Sequence, residues 1–221
     1  MLLTVEWRLL EGVPADQVRE LLQVARRRRF ARNEVVFHRD DPGDCLHLIQ
    51  RGRFAVRVMT PLGDTATLAV RGPGESFGEM ALVAAKARRS ATVAALEEAE
   101  TIAVYHDDFE RVRAKHPAVN QILLRFLTDE VGMLHERLLE ALYVPVEKRV
   151  RRRLVELSGL YPGSDGAAVI VLTQETVAEL AGAARPTVNQ VLRDEERRGT
   201  IELRRGRIRI VDVAELGRRA R

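Results

Sequence analysis

The chain has one cysteine, Cys45, in 221 residues. A disulfide framework, a thiolate metal cluster and a four-cysteine iron–sulfur centre are therefore excluded within it. Cys45 and His47 sit two apart where a loop runs into an expected strand, and Cys45 reads as a half-buried structural thiol. The histidines His38, His47, His106, His116 and His135 are scattered, without metal-ligand spacing or a partnered nucleophile. No catalytic residue, resident cofactor or metal is expected, and a nucleotide-processing enzyme is the remote alternative. No stretch approaches the ~20 apolar residues of a membrane span. Met1-Leu2-Leu3 meets Glu6 and Arg8 almost at once, which leaves no signal-peptide core. A cytoplasmic protein with no membrane partner is the expectation.

What is present is unevenly charged. The net charge is +4, but residues up to Val144 carry 20 basic against 21 acidic side chains, and those from Pro145 carry 16 against 11. The C-terminal third is the part suited to a polyanion, although a merely solvated basic face has the same composition. Helical spacing of Val18, Leu21, Leu22 and Ala25 follows Pro14, and the Arg26–Arg29 run reads as a solvated helix end or, less simply, a nucleic-acid contact. From Phe30 to His106 come short β-rich runs: Val35–His38, Leu46–Gln50, Phe54–Met59, Thr65–Val70, Ala91–Leu96 and Thr101–Tyr105. Breakers such as Asp41-Pro42-Gly43-Asp44, Pro61-Leu62-Gly63-Asp64 and Gly72-Pro73-Gly74 separate them, the pattern of a small barrel or sandwich.

Between these runs lies Phe77-Gly78-Glu79-Met80-Ala81-Leu82, followed by Arg88-Arg89-Ser90-Ala91-Thr92-Val93. Gly78 lets backbone approach an anion, and the residues after it can open a short helix with free N–H groups. Arg89 offers a planar fork for phosphate oxygens, whereas Glu79, acceptor-only when ionised, suits a sugar hydroxyl. Together they suit a ribose phosphate; a buried Glu–Arg pair holding a turn is the bland alternative.

After Asp107 the pattern turns helical, and Pro117 to Tyr143 is nearly free of breakers. Its ~27 residues would span roughly 40 Å. Leu124, Leu127, Val131, Leu134, Leu138 and Ala141 follow heptad spacing, expected as a dimer seam, while Ile122, Phe126 and Met133 form a second row for the barrel. Val144-Pro145-Val146 ends the helix and is the expected hinge. Beyond it, Thr173 caps a short helix closed by Gly182, and a second helix runs from Arg185 to Arg198 with Pro186 in its first turn. Ile201–Leu203 and Arg207–Val211 flank a basic tip, a plausible wing. This is a winged helix-turn-helix pattern. On it Arg185, Asn189 and Gln190 suit base edges, and Thr173, Thr187, Arg204, Arg205 and Arg207 suit phosphates.

These features together resemble the CRP/FNR superfamily of bacterial transcription regulators, over residues from about Leu9 to about Val213. The resemblance implies an α+β chain: a cyclic-nucleotide-binding β-roll at 1–116, a dimerisation helix and hinge at 117–144, and a winged helix-turn-helix at 145–221. It also implies a homodimer on an inverted-repeat operator of double-stranded DNA, meeting RNA polymerase if it activates. Residue by residue, Gly78, Glu79, Met80, Ala81, Arg89, Ser90 and Ala91 fall in the family's phosphate-binding cassette. Glu79 would take the ribose 2′-hydroxyl, and Arg89 with Ser90 the cyclic phosphate of cAMP. The chain departs from the family where small hydroxyl residues on the long helix often hold adenine, because Leu134 and His135 stand there. It departs again on the recognition helix, where Pro186 replaces a glutamate and Gln190 an arginine. The expected effector is cAMP, with cyclic GMP or a vestigial, effector-free cassette left open.

Overall fold

Alternating apolar and polar residues between turn signals become short strands here because each strand buries one face and hands the chain to its neighbour within a few residues. The computed structural model describes residues 5–60, 63–83, 87–163 and 167–221. The expected turn residues Pro61 and Leu62 and the N-terminal Met1–Leu3 lie outside the described residues. Helix α1 (Ala15–Val24) is followed by β1 (Arg26–Phe30), β2 (Val35–Phe37), β3 (Cys45–Arg51), β4 (Phe54–Met59) and β5 (Thr65–Arg71). Then come β6 (Ser76–Phe77), the single turn α2 (Met80–Val83), β7 (Thr92–Ala95) and β8 (Ala99–Tyr105). The strands form two four-stranded sheets, ordered β1-β8-β3-β6 and β2-β7-β4-β5.

One apolar cluster gathers Phe30, Ile49, Phe54, Phe77, Val93 and Ala95. Another joins Trp7, Leu21, Leu46, Leu48, Val104 and Phe109. Trp7 is buried with its indole N–H donating to Ile49 O at 2.9 Å, so the polar end of the ring is satisfied.

Arg26–Arg29, expected at a helix end, is an edge strand. α1 stops at Val24, and β1 pairs antiparallel with β8 from Arg26↔Ala103 to Phe30↔Ala99. The reason is tertiary. Arg27 and Arg29 share the Glu100 carboxylate at 3.1 and 3.2 Å, and on the other face Arg26 lies over the Tyr105 ring at 4.8 Å. Charged residues on an edge strand also discourage pairing with another chain.

Helix α3 (His106–Lys115) leads through a 3₁₀ turn, Pro117–Val119, into α4 (Asn120–Tyr143). Ile122 is buried in the second cluster and Phe126 packs against it, as the second apolar row requires. Leu124, Leu127, Val131, Leu134 and Leu138 remain 42% to 57% exposed. By contacts the chain divides into two compact units, Met1–Val58 with Ala69–Leu134 and Met59–Leu68 with His135–Arg221.

The C-terminal elements are α5 (Val146–Leu160), β9 (Ala168–Ile170), α6 (Gln174–Ala181), α7 (Arg185–Arg197), β10 (Ile201–Arg204), β11 (Arg207–Ile210) and α8 (Val213–Ala220). The wing hairpin pairs Ile201↔Ile210 through Arg204↔Arg207, and β9 adds a third strand that the hairpin pattern did not announce. Leu154, Ile170, Val177, Val188, Leu192 and Leu216 form the buried apolar set. At its centre Glu195 of α7 is fully buried. Its carboxylate meets Arg151 Nε and Arg219 Nη1, each at 2.8 Å, and accepts from the Thr200 hydroxyl at 2.8 Å. Three helices are thereby tied through one charge. Glu195→Ala is expected to cost about 3–5 kcal/mol, because it leaves two cations without their buried partner. Urea unfolding of the full chain would measure it; a loss below about 1 kcal/mol would show that the cluster is incidental.

Candidate ligand cassette and nucleic-acid interface

The cassette is built where β6 turns into α2. Gly78 takes φ +82°, a conformation L side chains rarely adopt. A Cβ there would lie 2.6 Å from Arg89 Nη1 and 3.1 Å from Cys45 O, so the position is closed twice over to a side chain. Arg89 is only 4% exposed. Its Nη1 donates to Cys45 O at 2.7 Å and to Gly78 O at 3.3 Å, and its Nη2 meets Asp44 Oδ1 at 2.9 Å. The guanidinium lies 4.1 Å over the Phe37 ring. Its Nε is buried and has no partner among the described residues. The side chain carrying this charge is therefore held inside, and Asp44, 65% exposed, is the one carboxylate on it among the described residues.

The same charge shapes its neighbours. Burial, then the Arg89 and Arg28 cations, push the His47 pKa down to about 3, so the imidazole is neutral. It stacks on Phe77 at 4.9 Å and shares a hydrogen bond with the Thr101 hydroxyl at 3.0 Å. Burial and the neighbouring Asp44 push the Cys45 thiol up to about 11, against the weaker pull of Arg89. Cys45 is buried rather than half-buried, and is an unreactive structural thiol.

Glu79 accepts from the Ser76 hydroxyl at 2.7 Å. Burial raises its pKa; the Ser76 bond, its own backbone N–H and the Arg71 charge oppose the rise, and Glu130 on α4 adds to it. The remaining cassette residues divide by exposure. Met80 and Ser90 are exposed, and Ala81 and Ala91 are buried. The expected free N–H groups after Gly78 are partly committed, since Ala81 N–H donates to Gly78 O and Leu82 N–H to Glu79 O. α2 is a single turn, so these amides close it. Leu134 and His135 are both exposed on α4, and His135 makes no hydrogen bond among the described residues. Sequence reasoning missed Ser76, Asp44 and the Cys45 carbonyl. Ser76 had a signal in its three-residue spacing from Glu79; a backbone carbonyl has none. No group of His, Cys, Asp and Glu able to hold a metal occurs among the described residues.

The second constellation lies on the helix-turn-helix. Thr173 Oγ1 accepts from Thr176 N–H at 3.1 Å, capping α6, and Gly182 closes that helix with φ +57°. Pro186 sits in the first turn of α7, where its missing N–H costs nothing. Thr173, Gln174 and Arg185 line a cleft with Arg204, Arg205 and Arg207 of the wing. Pro186, Asn189 and Gln190 line an adjoining groove, together with Gln174 and Arg193, which sequence reasoning missed. Thr187, half-buried, lines neither. Two contrasting sets stand out among the arginines of this unit. Arg151, Arg152, Arg153, Arg197, Arg209, Arg218 and Arg219 are ion-paired. Arg185, Arg193, Arg204, Arg205 and Arg207 have no carboxylate partner among the described residues, and all five line the two depressions. Free cations collected on one motif are what a polyanion needs.

Ligand affinity at the cassette is expected to fall as pH falls. A Glu79 carboxyl whose pKa is raised becomes protonated above the ordinary carboxylate range, and in that form it is a poorer acceptor for a hydroxyl. Titrating a cyclic nucleotide between pH 5 and pH 8 would show the decline, and Glu79→Gln should flatten it. Equal slopes in both proteins would remove Glu79 from the site.

Comparison with known proteins bears on both constellations. The family "Cyclic nucleotide-binding domain" matches residues 27–116, and "Crp-like helix-turn-helix domain" matches residues 148–219. The chain is 30% identical over 216 residues to a CRP-like cAMP-activated global transcriptional regulator of Mycobacterium tuberculosis, covering 96% of each chain. It is 28% identical over 210 residues to the cyclic AMP receptor protein of Thermus thermophilus, covering 94% of each. Among solved structures, the Thermus thermophilus catabolite activator protein aligns at TM-score 0.56 and 28% identity, over 96% of this chain and 97% of that one. FixK2 from Bradyrhizobium japonicum shares the fold at TM-score 0.76 with 16% identity, over 88% of this chain and 96% of that one. With a cyclic-nucleotide-binding domain ahead of a Crp-like helix-turn-helix, this chain belongs to the CRP/FNR superfamily of DNA-binding transcription regulators.

Proposed function

We propose that the protein is a homodimeric regulator whose binding to an inverted-repeat operator is modulated by a cyclic nucleotide held at the cassette. In this reading residues 1–116 sense, 117–144 dimerise and hinge, and 145–221 bind DNA. The chain is not an enzyme, and RNA polymerase is a partner if it activates. The observation that carries the reading is Arg89: a buried cation beside a glycine that admits no side chain, with Nε unpartnered and its one carboxylate partner exposed. A cyclic phosphate presents two anionic oxygens that match the guanidinium fork, and it can replace the exposed Asp44 there. Glu79 would then take the ribose 2′-hydroxyl, with Ser90 on the phosphate and Gly78, Met80, Ala81, Ala91, Leu134 and His135 around the ligand. cAMP is the ligand that the names of the two relatives carry. Phosphate and ribose are common to cAMP and cGMP, so these contacts serve either.

At the other end, Arg185, Asn189 and Gln190 would read base edges, with Pro186 beside them making no polar side-chain contact. Thr173, Thr187, Arg204, Arg205 and Arg207 would hold phosphates. The exposed heptad row on α4 supports a second copy as the partner there. A ligand favouring one hinge arrangement at Val144–Val146 would bias operator binding by its differential affinity for the two states. One observation favours an alternative: the Arg89 fork is already satisfied within the protein, as a vestigial cassette requires.

Calorimetry with cAMP and cGMP separates the two. Binding at one site per subunit is expected, and Arg89→Ala or Arg89→Lys should weaken it at least about 30-fold, the equivalent of about 2 kcal/mol. No heat at two temperatures would leave the effector-free reading. For the dimer, Val131→Glu with Leu138→Glu should halve the sedimenting mass; an unchanged dimer would move the interface off α4.

A further inference from the structure

Adenine and guanine differ at the edge where a protein can tell them apart. Adenine shows an acceptor, N7, beside an N6 amino donor, whereas guanine shows two acceptors, N7 and O6. Ribose and phosphate contacts cannot distinguish them, so the choice falls to whatever flanks Glu79 toward α4. Leu134 offers no hydrogen bond there.

Arg71, the last residue of β5, occupies that flank. Its Nη1 donates to Glu75 Oε1 at 2.9 Å, and Glu75 Oε2 in turn accepts from Gly72 N–H at 2.7 Å. The carboxylate is pinned by backbone, and it orients the guanidinium. Arg71 Nη2 meets Met133 Sδ on α4 at 3.8 Å, immediately before Leu134. A thioether is a weak acceptor, so the donors on this side of the fork remain available. The side chain is 27% exposed, within reach of a ligand. On its other side the Arg71 charge acts on the Glu79 carboxyl. Arg71 thus touches α4 next to Leu134, and its charge is felt at Glu79. The ion pair with Glu75 engages Nη1, and among the described residues Nη2 faces only the Met133 sulfur.

We infer that Arg71 is the base-reading residue of the cassette, selecting a purine with O6 beside N7, a guanine cyclic nucleotide, over adenine. The inference rests on the cassette binding a cyclic nucleotide at all. An arginine fork matches the O6/N7 pair bidentately and has no acceptor for the adenine amino group. Glu130 on α4, which also acts on Glu79, can accept from the adenine amino group or from guanine N1–H and so does not discriminate. The chemistry is shared by cyclic GMP and cyclic di-GMP.

The test is calorimetric titration of the full chain with cyclic AMP, cyclic GMP, cyclic IMP and cyclic di-GMP. Cyclic IMP keeps O6 and N7 but lacks the guanine amino group. Cyclic GMP and cyclic IMP are expected to bind alike, and both about 10-fold to 100-fold tighter than cyclic AMP. Arg71→Leu should abolish that preference, weakening cyclic GMP and cyclic IMP about 10-fold or more beyond any loss for cyclic AMP, and Arg71→Lys should keep only part of it. Tighter binding of cyclic di-GMP than of cyclic GMP would support the same base assignment and name the dinucleotide as its source. A wild-type preference for cyclic AMP, or equal weakening of all nucleotides in Arg71→Leu, overturns the assignment and leaves the cassette standing. Binding of none overturns both.

Discussion

The N-terminal half depends on one buried cation. Taking a guanidinium out of water is expensive, and it is tolerated only where several acceptors converge on it. Arg89 meets that condition through Cys45 O at the start of β3, Gly78 O at the β6–α2 turn and Asp44, with the Phe37 face of β2 above it. Segments far apart in sequence are thus drawn to one charge. Its consequences spread inward: with burial it keeps His47 neutral, and it bars Gly78 from carrying a side chain, while burial and Asp44 keep Cys45 protonated against its pull. The group that organises the fold is also the group suited to an anion. In the proposed function, binding there would exchange one acceptor for another and need not build a site from nothing.

The C-terminal unit solves a related problem with the opposite charge. Glu195 is a fully buried carboxylate, and Arg151, Arg219 and Thr200 satisfy it from α5, α8 and the turn after α7. It fixes the recognition helix from behind while the exposed face stays free for polar side chains. Division of labour among the arginines follows. Several with a carboxylate tie helices of the unit together, and five without one line the two depressions on α7 and the wing.

Much of the architecture is legible in the residues because it rests on local signals. Period-2 patterning placed six of the strands from Val35 to Tyr105 to within a residue or two, Phe54–Met59 without error, but not the two-residue β6. The Thr173 cap, the Gly182 stop and Pro186 are backbone chemistry written in single residues. Arg26–Arg29 misled for the same reason. Locally they suit a helix end, but Glu100 and Tyr105 on β8, more than seventy positions away, make them a strand. β9 escaped notice because three residues carry too little period to be seen.

The sequence by itself determined the order of the strand-rich half, the long helix and the winged helix-turn-helix, the basic C-terminal third and the residue types of the cassette. Each depends on neighbours within one or two turns of chain. Tertiary structure alone decided which groups those residues face: that Arg89 is held inward by two carbonyls and Asp44, that Ser76 holds Glu79, that Glu195 is a buried hub, and that Arg71 reaches Met133. Backbone carbonyls are present at every position and burial is a property of the whole packing, so neither leaves a mark in the chain that local reading can find.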